Sequence, residues 1–202
     1  YESPDAALIH QYTFAGPGVT DSVGSVNGVL VNGATVSGGL LNLSGSAYVQ
    51  FNSNIIPTGL APFSVLFNAQ ELSFPSSFND GYAEMISQGF SGGPGFYIGH
   101  DPSHNFRFGD LFMSTGIAFP NDHAMHRYAL TSDASGSRFY IDGLLVGSSP
   151  TQEFIPSTGT ITRLGQQFEC CGPGSLPFPE AFQGAISNVR IYNTALPAAQ
   201  IQ

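Results

Sequence analysis

Short runs of aromatic and β-branched residues, each halted within a few positions by Gly, Pro, Asn or Asp, follow one another along the whole of this chain. Runs of that length are too short for helices and match half-buried strands, so the punctuation restricts the chain to an all-β architecture. Strands are expected at Leu8 to Phe14, Ala47 to Phe51, Phe63 to Gln70, Gly95 to Gly99, Asn105 to Phe108, His126 to Thr131, Arg138 to Ile141 and Thr160 to Leu164, with Phe182 to Tyr192 as a central strand. Asp142-Gly143, the favoured type I′ dipeptide, joins Phe139-Tyr-Ile141 to Leu144-Leu-Val146, and Asp133-Ala-Ser-Gly136 is a second polar turn. Consecutive hairpins give an antiparallel meander. Near the end, Thr194 or Pro197 opens a short helical turn. Longer inserts are expected around Phe74 to Tyr82 and in a loop that carries both cysteines.

That loop reads Phe168-Glu-Cys-Cys-Gly-Pro-Gly-Ser-Leu-Pro-Phe-Pro179, and Cys170 and Cys171 are adjacent. Neighbours in sequence cannot staple distant segments. Joined to each other, they close a small strained ring and present a rigid, apolar sulfur knob suited to a binding loop. Two free thiols, or one bridge each to neighbouring chains, are the alternatives that adjacency leaves open.

With 202 residues and 42% hydrophobic content, the chain can bury a full core, and residues 1–202 are read as one β-sandwich domain. It stops inside the terminal turn, which fits a domain excised from a longer secreted protein. Only 9% of residues are charged and lysine is absent, so the surface is built from Ser, Thr, Asn, Gln and Gly. Such a surface, with the paired cysteines, points to an extracellular setting. A formal net charge of −9 disfavours nucleic acid as a partner, because phosphate affinity comes from Lys and Arg displacing counterions. No stretch approaches the roughly 18 apolar residues that span a bilayer, so membrane insertion is not expected.

A family resemblance emerges from the order of short motifs. Leu8-Ile-His-Gln-Tyr-Thr-Phe14, Asp21-Ser-Val-Gly24, Asn32-Gly-Ala34, Leu41-Asn-Leu43, Tyr48-Val-Gln-Phe51 and Phe63-Ser-Val65 resemble the opening of a laminin-G-like jelly-roll domain. His126-Arg-Tyr-Ala-Leu-Thr131, the hairpin Arg138 to Gly147 and the ending Phe182 to Leu196 resemble that family's second half more closely. The resemblance covers almost the whole chain and implies the concanavalin A-like sandwich of two antiparallel sheets. Two positions depart from the pattern: Met125 stands where an aromatic residue usually precedes the His strand, and Ser187-Asn188 replace the acidic position of the last strand.

Lectins, carbohydrate-binding modules, adhesion domains, glycosidases and polysaccharide lyases share this fold, so function has to come from sites. The E-x-D-x-x-E motif of retaining glucanases, which sets two carboxylates on one strand face, is absent. The six glutamates are scattered and read as surface charge, although Glu71 and Glu84 flank sheet strands. Arg107 and His100 imitate only part of a lyase site. Gly89-Phe-Ser-Gly-Gly93 fits G-x-S-x-G, but turn and strand follow it, so it reads as a hairpin connection and not as a nucleophile elbow. The chain is therefore read as non-catalytic.

Sugar rings stack on aromatic faces flanked by amide, carboxylate or guanidinium groups. The residues expected to bind a ligand are Tyr82, Tyr97, His100, Gln166, Gln167, Phe168, Glu169, Cys170, Cys171 and Phe178. The expected partner is a glycan or another extracellular ligand. A structural or adhesive subunit of a surface layer, matrix or filament, self-associating through Cys170 and Cys171, is the alternative. The resemblance further implies Ca2+ at Asp21 with Asn188, oxygen donors of the required hard type, joined by Glu2 or Asp5; equally, Asp21 and Asn27 could simply satisfy turn amides. The clusters His100-Asp101 with His104, and Asp122-His123 with His126, offer metal-like ligands but read as surface histidines.

Overall fold

A computed structural model describes residues 7–73, 81–89, 95–109, 114–157, 161–167 and 180–201. In chain order the described strands are β1 (Leu8–Tyr12), β2 (Val29–Val31), β3 (Thr35–Ser37), β4 (Leu40–Leu43), β5 (Tyr48–Phe51), β6 (Phe63–Glu71), β7 (Ala83–Gly89), β8 (Gly95–His100), β9 (Asn105–Gly109), β10 (Ser114–Ala118), β11 (His126–Asp133), β12 (Gly136–Ile141), β13 (Leu144–Ser149), β14 (Ile161–Leu164) and β15 (Gly184–Tyr192). A single 3-10 turn, Ala198–Gln200, follows Pro197. The first sheet runs β13-β12-β11-β6-β15-β4-β3, with β1 also on β15; the second runs β10-β9-β8-β7-β14-β5-β2. Every named strand pairing is antiparallel, as the hairpin-rich sequence requires.

Alternation supplies the core. In β5, Val49 and Phe51 are buried between the sheets while Tyr48 and Gln50 point to the other face, as period-2 geometry dictates. Rings from both sheets interlock: Phe63 of β6 meets Phe96 of β8 edge-on at 5.6 Å, and Phe106 of β9 lies 4.2 Å from Phe139 of β12. Burying each such ring is worth roughly 1.5–3 kcal/mol. Asp142 and Gly143 have φ of 49° and 80°, the positive values that a type I′ turn demands.

Four of the described strands escape the sequence reading: β2, β3, β7 and β10. The instructive one is β7, the centre of the second sheet, where all seven residues are buried. Its Glu84, Ser87 and Gln88 break any apolar alternation, yet tertiary partners satisfy them. The Gln88 side chain accepts from the amides of Ile55 and Ile56 and donates to Ile56 O, and Ser87 Oγ donates to Gln166 O. Gly89 of β7 stands opposite Gly95 of β8, so the G-x-S-x-G segment joins two antiparallel strands, although residues 90–94 lie outside the described part.

Candidate functional site

The outer face of the second sheet carries an unusual load of polar groups. Register aligns Val29, Gln50, Arg163, Ser87, Tyr97 and Gly109 in one row across β2, β5, β14, β7, β8 and β9. A neighbouring row holds Glu84, Gly99 and Arg107. Because successive residues alternate, everything in these rows points away from the core.

Arg107 organises one end. It is 1% exposed; its Nη1 lies 3.1 Å from Glu84 and 3.3 Å from Glu180, and its guanidinium sits 4.7 Å from the Tyr82 ring and 4.8 Å from the Tyr97 ring. Gly99 makes the arrangement feasible, because a Cβ there would fall 2.0 Å from Ala83 O and 2.5 Å from Glu84 Oε2. Burial pushes the Glu84 carboxyl well above its ordinary range; Arg107 opposes that shift, and the neighbouring Glu180 carboxyl reinforces it. Of the two carboxyls, Glu84 is the one that burial disposes to hold a proton, while Glu180 Oε2 accepts from Arg107 Nη1. Burial likewise raises Tyr97, whose hydroxyl accepts from Gln167 Nε2 at 3.2 Å.

Arg163 organises the other end. It donates to Gln50 Oε1, Gln166 Oε1 and Gln167 O, and its guanidinium stacks 4.4 Å from the Tyr48 ring. Tyr48, Gln50 and Tyr82 are half-buried and Val29 is exposed, so this face is reachable from solvent along its β2–β5 side and at Tyr82.

Among the expected binding residues, the structure brings Tyr82, Tyr97, Gln166 and Gln167 together on this face. His100 is not with them: it stands opposite Phe106 and Ala83 in a core-facing row, whereas Arg107 stands opposite Gly99 on the outer row. The partial lyase pairing of Arg107 with His100 therefore fails on strand alternation. Phe168, Glu169, Cys170, Cys171 and Phe178 lie outside the described residues, although both flanks of that segment, Gln167 and Glu180, sit on this face. The surface-charge reading of the glutamates needs correction, since Glu84, Glu71 and Glu180 are all buried through partners distant in sequence. Arg163, Tyr48 and Gln50 escaped attention; alternation gives only their face within β5 and β14, and register brings the two strands' residues together.

The surface reading is corrected for His100 and its partner His104, whereas Asp122 and His123 are exposed and His126 lies half-buried beside them. His100 is 2% exposed; its Nε2 lies 2.9 Å from Glu71 Oε1, and His104 Nε2 lies 3.1 Å from Glu71 Oε2. This cluster sits between the sheets at one end of the sandwich. His126 is held between Asp142 at 2.7 Å and Asp122 at 2.9 Å. Of the expected calcium pair, Asp21 is engaged by neighbouring turn groups. Asp21 accepts from the amides of Gln11, Val23, Gly24 and Val26 and pairs with His10 at 2.6 Å. Asn188, at φ 49°, sits in the irregular stretch of β15. Asn27 Oδ1 in turn accepts from the Asp21 amide, which is the turn-satisfying arrangement. A shallow cleft on the outer face of the first sheet, lined by Arg127, Tyr140, Arg190 and Gln200 among others, holds none of the residues expected from sequence.

A family model described as the concanavalin A-like lectin/glucanases superfamily, Laminin_G_3, matches residues 43–202. No curated protein matches in sequence. Among solved structures, the chain is similar to domain 4 of AbnA, a GH43 extracellular arabinanase from Geobacillus stearothermophilus in complex with arabinotriose (TM-score 0.70, 16% identity, 98% of this chain and 97% of that one). It is also similar to Trypanosoma rangeli sialidase (TM-score 0.68, 16% identity, 96% of this chain and 32% of that one). A third is the binding domain of botulinum neurotoxin serotype G (TM-score 0.64, 15% identity, 96% of this chain and 50% of that one). The chain thus spans about a third of the sialidase and half of the neurotoxin domain. At these identities the likeness shows the fold. Among the described residues, no helix is long and apolar enough to cross a membrane.

Proposed function

The chain belongs to the concanavalin A-like lectin/glucanase superfamily, and on that premise we propose that it is an extracellular, non-catalytic carbohydrate-binding domain. The observation that carries this reading is the polar outer row of the second sheet, where tyrosine rings, amides and guanidinium groups line one face. Arg163 against Tyr48 and Arg107 against Tyr82 hold those rings in fixed orientation, which lowers the ordering cost of stacking a sugar. Half-buried Gln50 offers the directional hydrogen bonds that pyranose and furanose hydroxyls need, while buried Gln166 and Gln167 hold Arg163 and Tyr97 in place.

The carboxylates support the non-catalytic side. Retaining glycosidases hold two carboxyl groups about 5–5.5 Å apart with the scissile bond between them. Glu84 and Glu180 instead both lie against the Arg107 guanidinium, and Glu84 is 0% exposed, which leaves no room for substrate.

The test is titration calorimetry with arabinotriose as first probe, followed by a broad glycan array. Binding that is lost in Tyr48→Ala and in Gln50→Ala, with unchanged circular dichroism, supports the site. A flat array sinks the carbohydrate reading, and a concentration-dependent oligomer by light scattering would then favour the adhesive subunit.

A further inference from the structure

We propose that Glu71, His100 and His104 form a binding site for a zinc-type divalent transition metal, which ties the two sheets together at one end of the sandwich. The three candidate ligand atoms, one carboxylate oxygen and two imidazole Nε2, come from β6, from β8 and from the loop that follows β8, and all lie within 4.8 Å of one another. Bonds of about 2.0–2.2 Å place tetrahedral ligands roughly 3.4 Å apart, so shifts of well under a side-chain length seat the ion.

The hydrogen accounting at His100 favours a metal. Its Nδ1 lies 2.9 Å from Asp101 O, which can only accept, so Nδ1 bears the hydrogen. In the neutral ring Nε2 then presents a lone pair, and that lone pair faces the Glu71 carboxylate at 2.9 Å, itself an acceptor when ionised. Without an ion, two acceptors confront each other in a buried site unless an extra proton is held between them. A divalent cation resolves the conflict. An Nδ1–H directed at a backbone carbonyl is also the outer-sphere arrangement that fixes a metal-binding imidazole in its working tautomer.

The surroundings are built in the same sense. Asp101 Oδ1 accepts from the amides of Ser103 and Asn105, and Asp101 O accepts from the His104 amide, which closes the turn that carries His104. His104 itself sits at φ 60°, a left-handed conformation that histidine tolerates better than most residues. His123 Nδ1 lies 2.9 Å from Glu71 O. Phe119 packs 5.2 Å from both histidine rings and closes the apolar side, while the His104 side chain, 23% exposed, leaves an approach from solvent. Two imidazoles and one carboxylate suit zinc and its neighbours better than calcium, which takes oxygen ligands. With three protein ligands, water fills the fourth position.

The experiment is zinc uptake by the chelator-treated protein, measured by elemental analysis after gel filtration, with Co2+ absorption as a second readout. About one equivalent of zinc is expected, with a rise in Tm of about 5 °C or more at saturating metal. His104→Gln, a change in a partly exposed loop, should keep the fold and weaken binding by about 100-fold or more. Cys170→Ser/Cys171→Ser should bind zinc as the parent does. Uptake of less than about a tenth of an equivalent by the parent, or uptake undiminished in His104→Gln, overturns the site.

Discussion

Glu84 and Arg107 meet at 3.1 Å over Gly99, with both side chains withdrawn from solvent. The contact unites β7 with β9 across the intervening β8. Beside it, Glu180 brings the far flank of the cysteine-bearing segment onto the same arginine.

The two carboxyl groups should respond differently to neutralisation. Burial disposes the Glu84 carboxyl to hold its proton, so Glu84→Gln, which keeps its shape, should cost less than about 1 kcal/mol. Arg107→Met strands the Glu180 charge and should cost about 3–5 kcal/mol. Urea denaturation of both variants decides; equal losses would contradict the assignment of the proton to Glu84.

Gly99→Ala forces a methyl group to within 2.0 Å of a backbone carbonyl and 2.5 Å of the Glu84 carboxylate. Overpacking of this kind costs about 1–3 kcal/mol. The thermal midpoint should fall, and a variant as stable as the parent would show that the close approach relaxes at no cost.

His126 links stability to pH in one direction. Burial lowers its pKa, but Asp142 and Asp122 more than compensate and raise it above the ordinary 6.5. A group that binds its proton more tightly when folded contributes fully below the unfolded value, and that contribution is lost as pH rises through the folded one. Asp142→Asn should flatten this segment of the stability profile between neutral and mildly alkaline pH, as followed by chemical denaturation.

Asp21 acts at the opposite end of the scale. Burial resists its ionisation, yet the His10 ring and the amides of Gln11, Gly24 and Val26 hold its carboxyl at about 2, down from 3.8. Its contribution is complete above the unfolded pKa and lost as pH falls from about 4 toward 2. Asp21→Ala leaves several amides without an acceptor and should cost roughly 1–3 kcal/mol at neutral pH, with a weaker acid dependence than the parent.

The sequence by itself determined the all-β class, the Asp142-Gly143 hairpin and the superfamily, because short-range propensity, turn chemistry and motif order are all local or linear properties. Tertiary structure alone decided which strands became neighbours and in which register. Only register puts Gln50, Arg163, Ser87 and Tyr97 in one row, sends His100 inward while Tyr97 faces outward, and buries Glu84 against Arg107. Glu71 and His100 lie on strands of different sheets, and His104 enters from a loop, so no linear spacing could have foretold their meeting. A period of two fixes the face a side chain occupies within its strand, whereas partners across a sandwich are fixed by long-range pairing, which a strand's own residues do not encode.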